Sequence, residues 1–215
     1  MSKLFRDVEG KQICPQGSVV CIGAFDGLHL GHQALVGHVL ARARELGLPS
    51  AALSFEPLPR EFFARGELPP RLLLPRAKFE GLRGFGVDVV GLLRFNAALS
   101  SMSPEQFVDQ ILVKRLSARE VWVGPEFRFG KGRAGDIAVL QSLGETRGFR
   151  AAQIEPIRVG GERVSSSLLR QELAEGDLDG AASGLGRRYA IDGKVVRGKQ
   201  LGRQLGYPTA NLRLM

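Results

Sequence analysis

The sequence predicts an α/β fold, a parallel sheet with helices on both faces. Three observations predict it. Short apolar runs of strand length alternate with stretches of helical period for roughly 160 residues. Gly or Pro closes most of these segments. The unusual residues gather in the loops that follow the apolar runs, where such folds bind ligands.

In order, Ser18-Val-Val-Cys-Ile22 ends at Gly23 and reads as a buried strand. Gln33 to Leu46 carries Leu35, Val36, Val39, Leu40, Ala43 and Leu46 at helical spacing, and Gly47 and Pro49 stop it. Ser50 to Phe55 is a second strand, closed by a loop with Pro57 and Pro59. Arg76 to Phe85 reads as a helix and Val87 to Leu93 as a strand. Ser103 is an N-cap with Pro104 at the first helical position, opening a helix to about Leu116. Val121 to Val123 is a strand ending at Gly124. Ala134 to Arg147 is helical, and Ala151 to Pro156 is a further strand. Near Gly180 the character changes. Tyr189 to Val196 is strand-like, and a Gly-rich stretch without a further helix leads to Met215.

Composition narrows the function classes. With 215 residues, 44% hydrophobic and 24% charged, the chain reads as an ordinary globular protein of one large domain or one plus a piece. It has no apolar run of membrane length and no secretory leader at its start, so cytoplasm is the expected compartment. Cys14 and Cys21 form neither a zinc knuckle nor a disulfide framework. The formal charge is +8, with 23 arginines against 7 lysines. Arginine suits bidentate phosphate recognition, so nucleic acid and a small phosphorylated ligand are both open, beside a merely solvated basic surface.

The most specific string is Gly23-Ala-Phe-Asp-Gly-Leu-His-Leu-Gly-His32, after a strand and at the mouth of a helix. Its small residues let backbone approach a ligand, and the helix start offers N–H groups to phosphate. His29 and His32, three apart, can face one site and donate to oxygens that gain charge in a transition state. A two-histidine metal site is the alternative, but no third ligand stands at a familiar spacing. Val164-Ser-Ser-Ser-Leu-Leu-Arg170 offers hydroxyls, helix N–H groups and a guanidinium to an anion, or is plain capping.

The first string resembles the G-x-F-D-G-x-H-x-G-H motif of nucleotidyltransferases. It is most similar to the N-terminal module of the prokaryotic FAD synthetases, bifunctional riboflavin kinase/FMN adenylyltransferases. Phe55-Glu-Pro-Leu-Pro59, Gly124-Pro-Glu-Phe-Arg-Phe-Gly130 with Arg133 and Gly135, and the serine string resemble later motifs of that family in the same order. Gly193 to Gly198, Gly202 to Gly206 and Tyr207-Pro-Thr-Ala-Asn211 resemble the opening of its riboflavin kinase barrel. The chain departs from the family pattern at Ala24, Glu126, Ser167 and Arg188, where asparagine, aspartate or asparagine, threonine and proline are usual.

The resemblance implies a Rossmann-like nucleotidyltransferase fold over 1–186 and an incomplete all-β barrel module over 187–215. It implies transfer of AMP from ATP to FMN, giving FAD and pyrophosphate, with Mg2+ accompanying ATP and no direct protein ligand for the metal. His29 and His32 would be catalytic. Gly23, Ala24, Phe25, Gly31, Gly124, Glu126, Ser165, Ser166 and Arg170 would bind ATP. Phe55, Pro57, Pro59, Phe127 and Arg128 would bind FMN. Thr209 and Asn211 would serve ATP and Mg2+ in the kinase module. The family's catalytic kinase glutamate lies further along than Met215, so riboflavin phosphorylation is not expected of these 215 residues. The partners implied are ATP, FMN and riboflavin. Neither nucleic acid nor a membrane is expected, and no oligomeric state follows. Another phosphate acceptor, or a basic nucleic-acid-binding protein without catalysis, are the competing readings.

Overall fold

The computed structural model describes residues 2–199, 201–207 and 209–214. Six strands form one sheet: β1 (Lys3–Phe5), β2 (Ser18–Ile22), β3 (Ser50–Glu56), β4 (Val89–Arg94), β5 (Ala118–Val123) and β6 (Arg150–Gln153). Their order is β1-β4-β3-β2-β5-β6, and every neighbouring pair is parallel. After the edge strand β1 the chain enters the middle of the sheet with β2 and steps outward through β3 and β4. It then crosses back to place β5 on the other side of β2. Ile22 thus stands level with Leu53 on one flank and Val123 on the other. This reversal between β2 and β5 opens a crevice at the carboxyl ends of the two strands, the usual ligand position in open α/β sheets.

The two-residue period of the strands divides the core. Val20, Ile22, Leu53, Val121 and Val123 face one layer, while Val19, Cys21, Ala52, Val90 and Leu92 face the other. The second layer is covered by α1 (Leu30–Leu46), through Leu35, Val36, Val39 and Ala43, and by α3 (Pro75–Gly84), through Leu82. Between β3 and α3 lies the short α2 (Pro59–Phe62). The first layer is covered by α4 (Ala97–Ser100), by α5 (Pro104–Phe107) with its wide-turn continuation Val108–Arg115, and by α6 (Ile137–Arg147). Beyond β6 come a hairpin of β7 (Arg158–Val159) and β8 (Glu162–Arg163), then α7 (Ser166–Glu175) and α8 (Leu178–Leu185). Leu72, Leu169, Ala181 and Leu185 make a third, smaller core there. The C-terminal segment is an antiparallel pair, β9 (Gly193–Val196) and β10 (Asn211–Leu214), with α9 (Leu201–Gln204) between them.

The sheet and its covering helices follow the expected alternation, with corrections at the ends. α1 begins at Leu30 because the His29 side chain caps it, and α6 begins at Ile137 because Asp136 takes the Val139 N–H. Residues 134–136 are therefore not helical; Gly135 bridges back to Phe129 instead. The last parallel strand stops at Gln153, and the C-terminal strand starts at Gly193 rather than Tyr189. A helix does follow β9, contrary to expectation: the four-residue α9. The edge strand β1 and the β7–β8 hairpin were too short to leave a periodic signal. Pro208, within the Tyr207–Asn211 motif, lies outside the described residues.

Gly91 shows how closely the strands are matched. A Cβ there would lie 2.5 Å from Leu53 Cδ2 and 2.7 Å from Phe5 Cζ. Gly91→Ala is expected to destabilise the chain by about 1–3 kcal/mol through overpacking, read as a lowered urea midpoint.

Candidate active site

β2 runs out at Ile22, and Gly23 still donates to the Leu53 carbonyl at 3.0 Å. The loop then turns through Phe25, at φ 49°, whose fully buried ring stands behind Gly23. Asp26 is completely buried and its carboxylate is fully used. Oδ1 accepts the Leu72 and Leu73 N–H groups at 3.0 and 2.9 Å, and Oδ2 accepts Arg60 at 2.6 Å and Arg170. Burial raises the Asp26 pKa, but the Leu73 N–H, Arg60 and Arg170 together pull it below its ordinary value. The Asp26 carbonyl accepts the Ser166 hydroxyl at 2.8 Å, and Arg187 donates to the Gly27 carbonyl at 3.0 Å. Gln33 ties Leu28 to Leu185 through its amide.

The histidines sit on this anchored loop. His29 Nδ1 accepts the His32 backbone N–H at 3.3 Å, and the two rings stack with centroids 3.7 Å apart. An accepting Nδ1 on a neutral imidazole leaves the proton on Nε2, so His29 presents an Nε2–H donor. Burial, with Arg163 adding to it against Asp26, pushes the His29 pKa down to about 4. Burial, His29 and Lys78 hold His32 well below its usual value. Near neutral pH both rings are uncharged donors. Gly31 lies against the His29 ring, where a Cβ would come within 3.1 Å.

A cavity of about 350 Å³ opens at the reversal between β2 and β5. Ile22, Gly23 and Ala24 form its β2 side, and His29, Gly31, His32 and Leu35 the start of α1. Gly124 to Arg128 and Arg133 come from the loop after β5. Ile154 to Ile157, Arg163, Val164, Ser165 and Ser166 close it. Two helix N-termini, those of α1 and α7, meet here, the second capped by the Ser165 hydroxyl on Leu168 N–H. Arg163 pairs with Glu126 at 2.9 Å, and Arg128 with Asp136 at 3.3 Å. Phe25, Leu28, Glu126 and Arg133 all have positive φ, so non-glycine residues in left-handed backbone concentrate in the loops that form or support this cavity.

The cavity brings together His29, His32, Gly23, Ala24, Gly31, Gly124, Glu126, Ser165, Ser166, Phe127 and Arg128. Two residues expected to contact ATP, Phe25 and Arg170, do not line it. The Phe25 side chain belongs to the core, and Arg170 is turned onto Asp26, the Pro70 carbonyl and the Ser166 carbonyl. Phe55, Pro57 and Pro59 do not line this cavity. They belong to a neighbouring region joined to it by a succession of rings. Phe127 stacks on Phe129, Phe129 meets Phe107, Phe107 meets Phe55, and Phe55 meets Phe95. Phe95 in turn contacts Phe62 and Phe63, which are 39% and 61% exposed. Thr209 and Asn211 are exposed on the C-terminal segment, their side chains against Gly202 and Gly198. The sequence reading did not single out Arg163 as a site residue; the one signal was its place two residues before Ser165. Nor did it assign Glu155, which is exposed on the cavity wall, or Lys78, whose burial no local pattern announces.

Among the described residues no helix is long and apolar enough to cross a membrane. Comparison with known proteins gives two family matches: FAD synthetase over residues 11–168 and riboflavin kinase over residues 185–215. A bifunctional riboflavin kinase/FMN adenylyltransferase of Pseudomonas fluorescens is 46% identical over 200 residues, covering 93% of this chain and 64% of that protein. The protein of the same description from Escherichia coli K12 is 41% identical over 213 residues, covering 99% and 68%. The chain thus spans about two thirds of the length of these relatives. A crystal structure described as a macrolide-efflux protein from Streptococcus pneumoniae superposes with a TM-score of 0.84 at 27% identity, covering 100% of this chain and 69% of that one. A pantoate-β-alanine ligase from Francisella tularensis shares the fold, with a TM-score of 0.56 at 11% identity, over 96% and 85%.

The buried histidine gives a pH signature. With its pKa near 4 when folded and 6.5 ordinarily, His29 binds fewer protons folded than unfolded between those values. Its contribution to stability is therefore present above about pH 6.5 and lost as pH falls toward 4. His29→Asn, which keeps a capping side chain, is expected to flatten that part of the stability curve. Chemical denaturation at stepped pH measures it.

Proposed function

The chain belongs to the FAD synthetase family, and on that premise we propose that it transfers AMP from ATP to FMN, giving FAD and pyrophosphate. The observation that carries this reading is the meeting of two helix N-termini, two neutral stacked histidines and three arginines around one cavity at the sheet's reversal point. Helix N–H groups and guanidiniums suit a polyphosphate. ATP takes this cavity with its phosphates over Gly31, His32, Ser165 and Ser166. The Ile154–Ile157 stretch and Leu35 offer apolar surface to the base, and Glu126 is placed to accept from ribose or base. FMN takes the adjoining aromatic region at Phe55, Pro57 and Pro59, with Phe127 between the two sites and Arg128 toward the FMN phosphate.

In the reaction a phosphate oxygen of FMN attacks the α-phosphorus of ATP. A new P–O bond forms as the bond to the bridging α,β oxygen breaks, and that electron pair leaves with pyrophosphate. The chain's task is to hold two anions in line and to spread the charge that develops on the phosphoryl oxygens. His29 Nε2–H and the His32 ring donate to those oxygens without adding a proton. Arg128, Arg133 and Arg163 screen the repulsion between the reactants. The carboxylates on the cavity are Glu126, paired with Arg163, and Glu155. They make no protein cage for Mg2+, which would enter with ATP and help to neutralise its phosphates. We place the module boundary at residue 186, the left-handed glycine that caps α8. Thr209 and Asn211 are assigned to ATP and Mg2+ in the second module, where riboflavin is the substrate. The buried free thiols Cys14 and Cys21 suit a reducing cytoplasm.

The test is purified chain with FMN, ATP and Mg2+, the product resolved chromatographically; FAD is expected, and its absence refutes the reading. His29→Ala and His32→Ala are each expected to lower kcat by about 10²-fold or more, the scale of losing an electrostatic transition-state contact. Glu126→Ala is expected to raise the KM for ATP more than that for FMN in initial-rate measurements.

A further inference from the structure

Lys78 lies on the inner face of α3 with its side chain 1% exposed. Burying an ammonium is costly unless it is well paired. Its pairing here is thin. Nζ donates to Ser54 Oγ at 3.3 Å and stands 3.9 Å from Glu56 Oε2, while Arg71 engages the other Glu56 oxygen. As a device for stability this arrangement offers little. Its position is more informative. The Ser54 hydroxyl donates in turn to the Ala24 carbonyl at 3.0 Å, so Lys78 and Ser54 form a two-step hydrogen-bond path into the loop that leads to His29 and His32. Ala24 itself lines the cavity.

We propose that Lys78 is a positioning residue for adenylyl transfer: through Ser54 it fixes the Ala24 carbonyl, and it sets a positive charge beneath the histidine loop. This deepens the adenylyltransferase reading and rests on it. The charged and titratable groups acting on Lys78 come from several elements: Glu56 from β3, Asp26 from the loop after β2, Glu61 from α2 and Arg71 from the segment before α3. His32, on α1, feels the Lys78 charge in turn. A cation held there has two effects. It opposes protonation of His32, which keeps that ring an uncharged donor, and it adds positive potential where phosphoryl oxygens gather charge.

The experiment compares the parent chain with Lys78→Met, which removes the charge at similar volume, and Ser54→Ala, which breaks the path but keeps the charge. FAD formation is followed at saturating and limiting FMN and ATP. In Lys78→Met, kcat is expected to fall about 10- to 100-fold, as when a supporting partner of a polar site is lost, with both KM values within about threefold. The melting temperature is expected to hold or rise, because a buried charge has been exchanged for an apolar side chain. Ser54→Ala is expected to lower kcat by about 3- to 10-fold. NMR titration of the histidine rings supplies a readout independent of turnover: His32 takes up its proton at higher pH in Lys78→Met than in the parent. A folded Lys78→Met with kcat within twofold of the parent, or with an unchanged His32 titration, overturns the proposal. If Lys78→Met does not fold, Ser54→Ala decides by the same twofold limit. A parent chain that makes no FAD refutes the adenylyltransferase reading instead, and the His32 titration still decides whether the Lys78 charge reaches that ring.

Discussion

The Asp26 carboxylate is the constraint on which the rest of this architecture depends. It is a fully buried charge, and an isolated buried carboxylate would be expelled or neutralised. Two backbone amides and two guanidiniums keep it ionised. The four partners come from three parts of the chain: Arg60 from α2, the amides of Leu72 and Leu73 from the segment before α3, and Arg170 from α7. One side chain thereby fixes the loop after β2 against three elements that have no sheet pairing to locate them. The same loop carries His29 and His32, so their placement inherits its rigidity. Arg170, which the resemblance assigns to ATP, has its guanidinium on Asp26 and on the Pro70 and Ser166 carbonyls, and so holds the frame of the cavity.

Around that frame the charges are arranged unevenly. Three arginines border the cavity, while the histidines between them are kept uncharged by burial. The combination leaves the positive charge of the cavity to its arginines, without a protonated histidine. The ion pair between Glu126 and Arg163 spans from the loop after β5 to β8 and links two walls that the sheet does not join. Glu126, one methylene longer than the residue usual in the family, finds room because its side chain is 78% exposed and reaches outward to Arg163.

Much of this was legible in the residues. The sheet strands were readable where apolar runs are bounded by glycine, as at Ile22 and Val123, and the cavity lies after those two runs. The histidine and serine strings were readable because each opens a helix. What escaped shares a physical cause. Phe25 sits in a ligand-like motif, yet a positive φ sends its ring into the core, and no spacing rule reveals a turn of that kind. Lys78 lies among residues of ordinary helical composition, and its burial is decided by β3 and the loop after β2, far away in sequence. Arg163 owes its place to a hairpin of two-residue strands, too short for any period.

The bonds that close the site join distant parts of the chain: Ser166 to Asp26 spans 140 residues and Arg170 to Asp26 spans 144. Together with an all-parallel sheet, such long closures make folding slow, since loop entropy is lost before any contact repays it. They also set an order of events during synthesis. A nascent chain that has released β2 and α1 already exposes both histidines, but the other half of their cavity is still unmade. Any ligand that fills the cavity therefore stabilises only chains that have emerged beyond α7, and ligand and finished fold become thermodynamic partners at that point and not before.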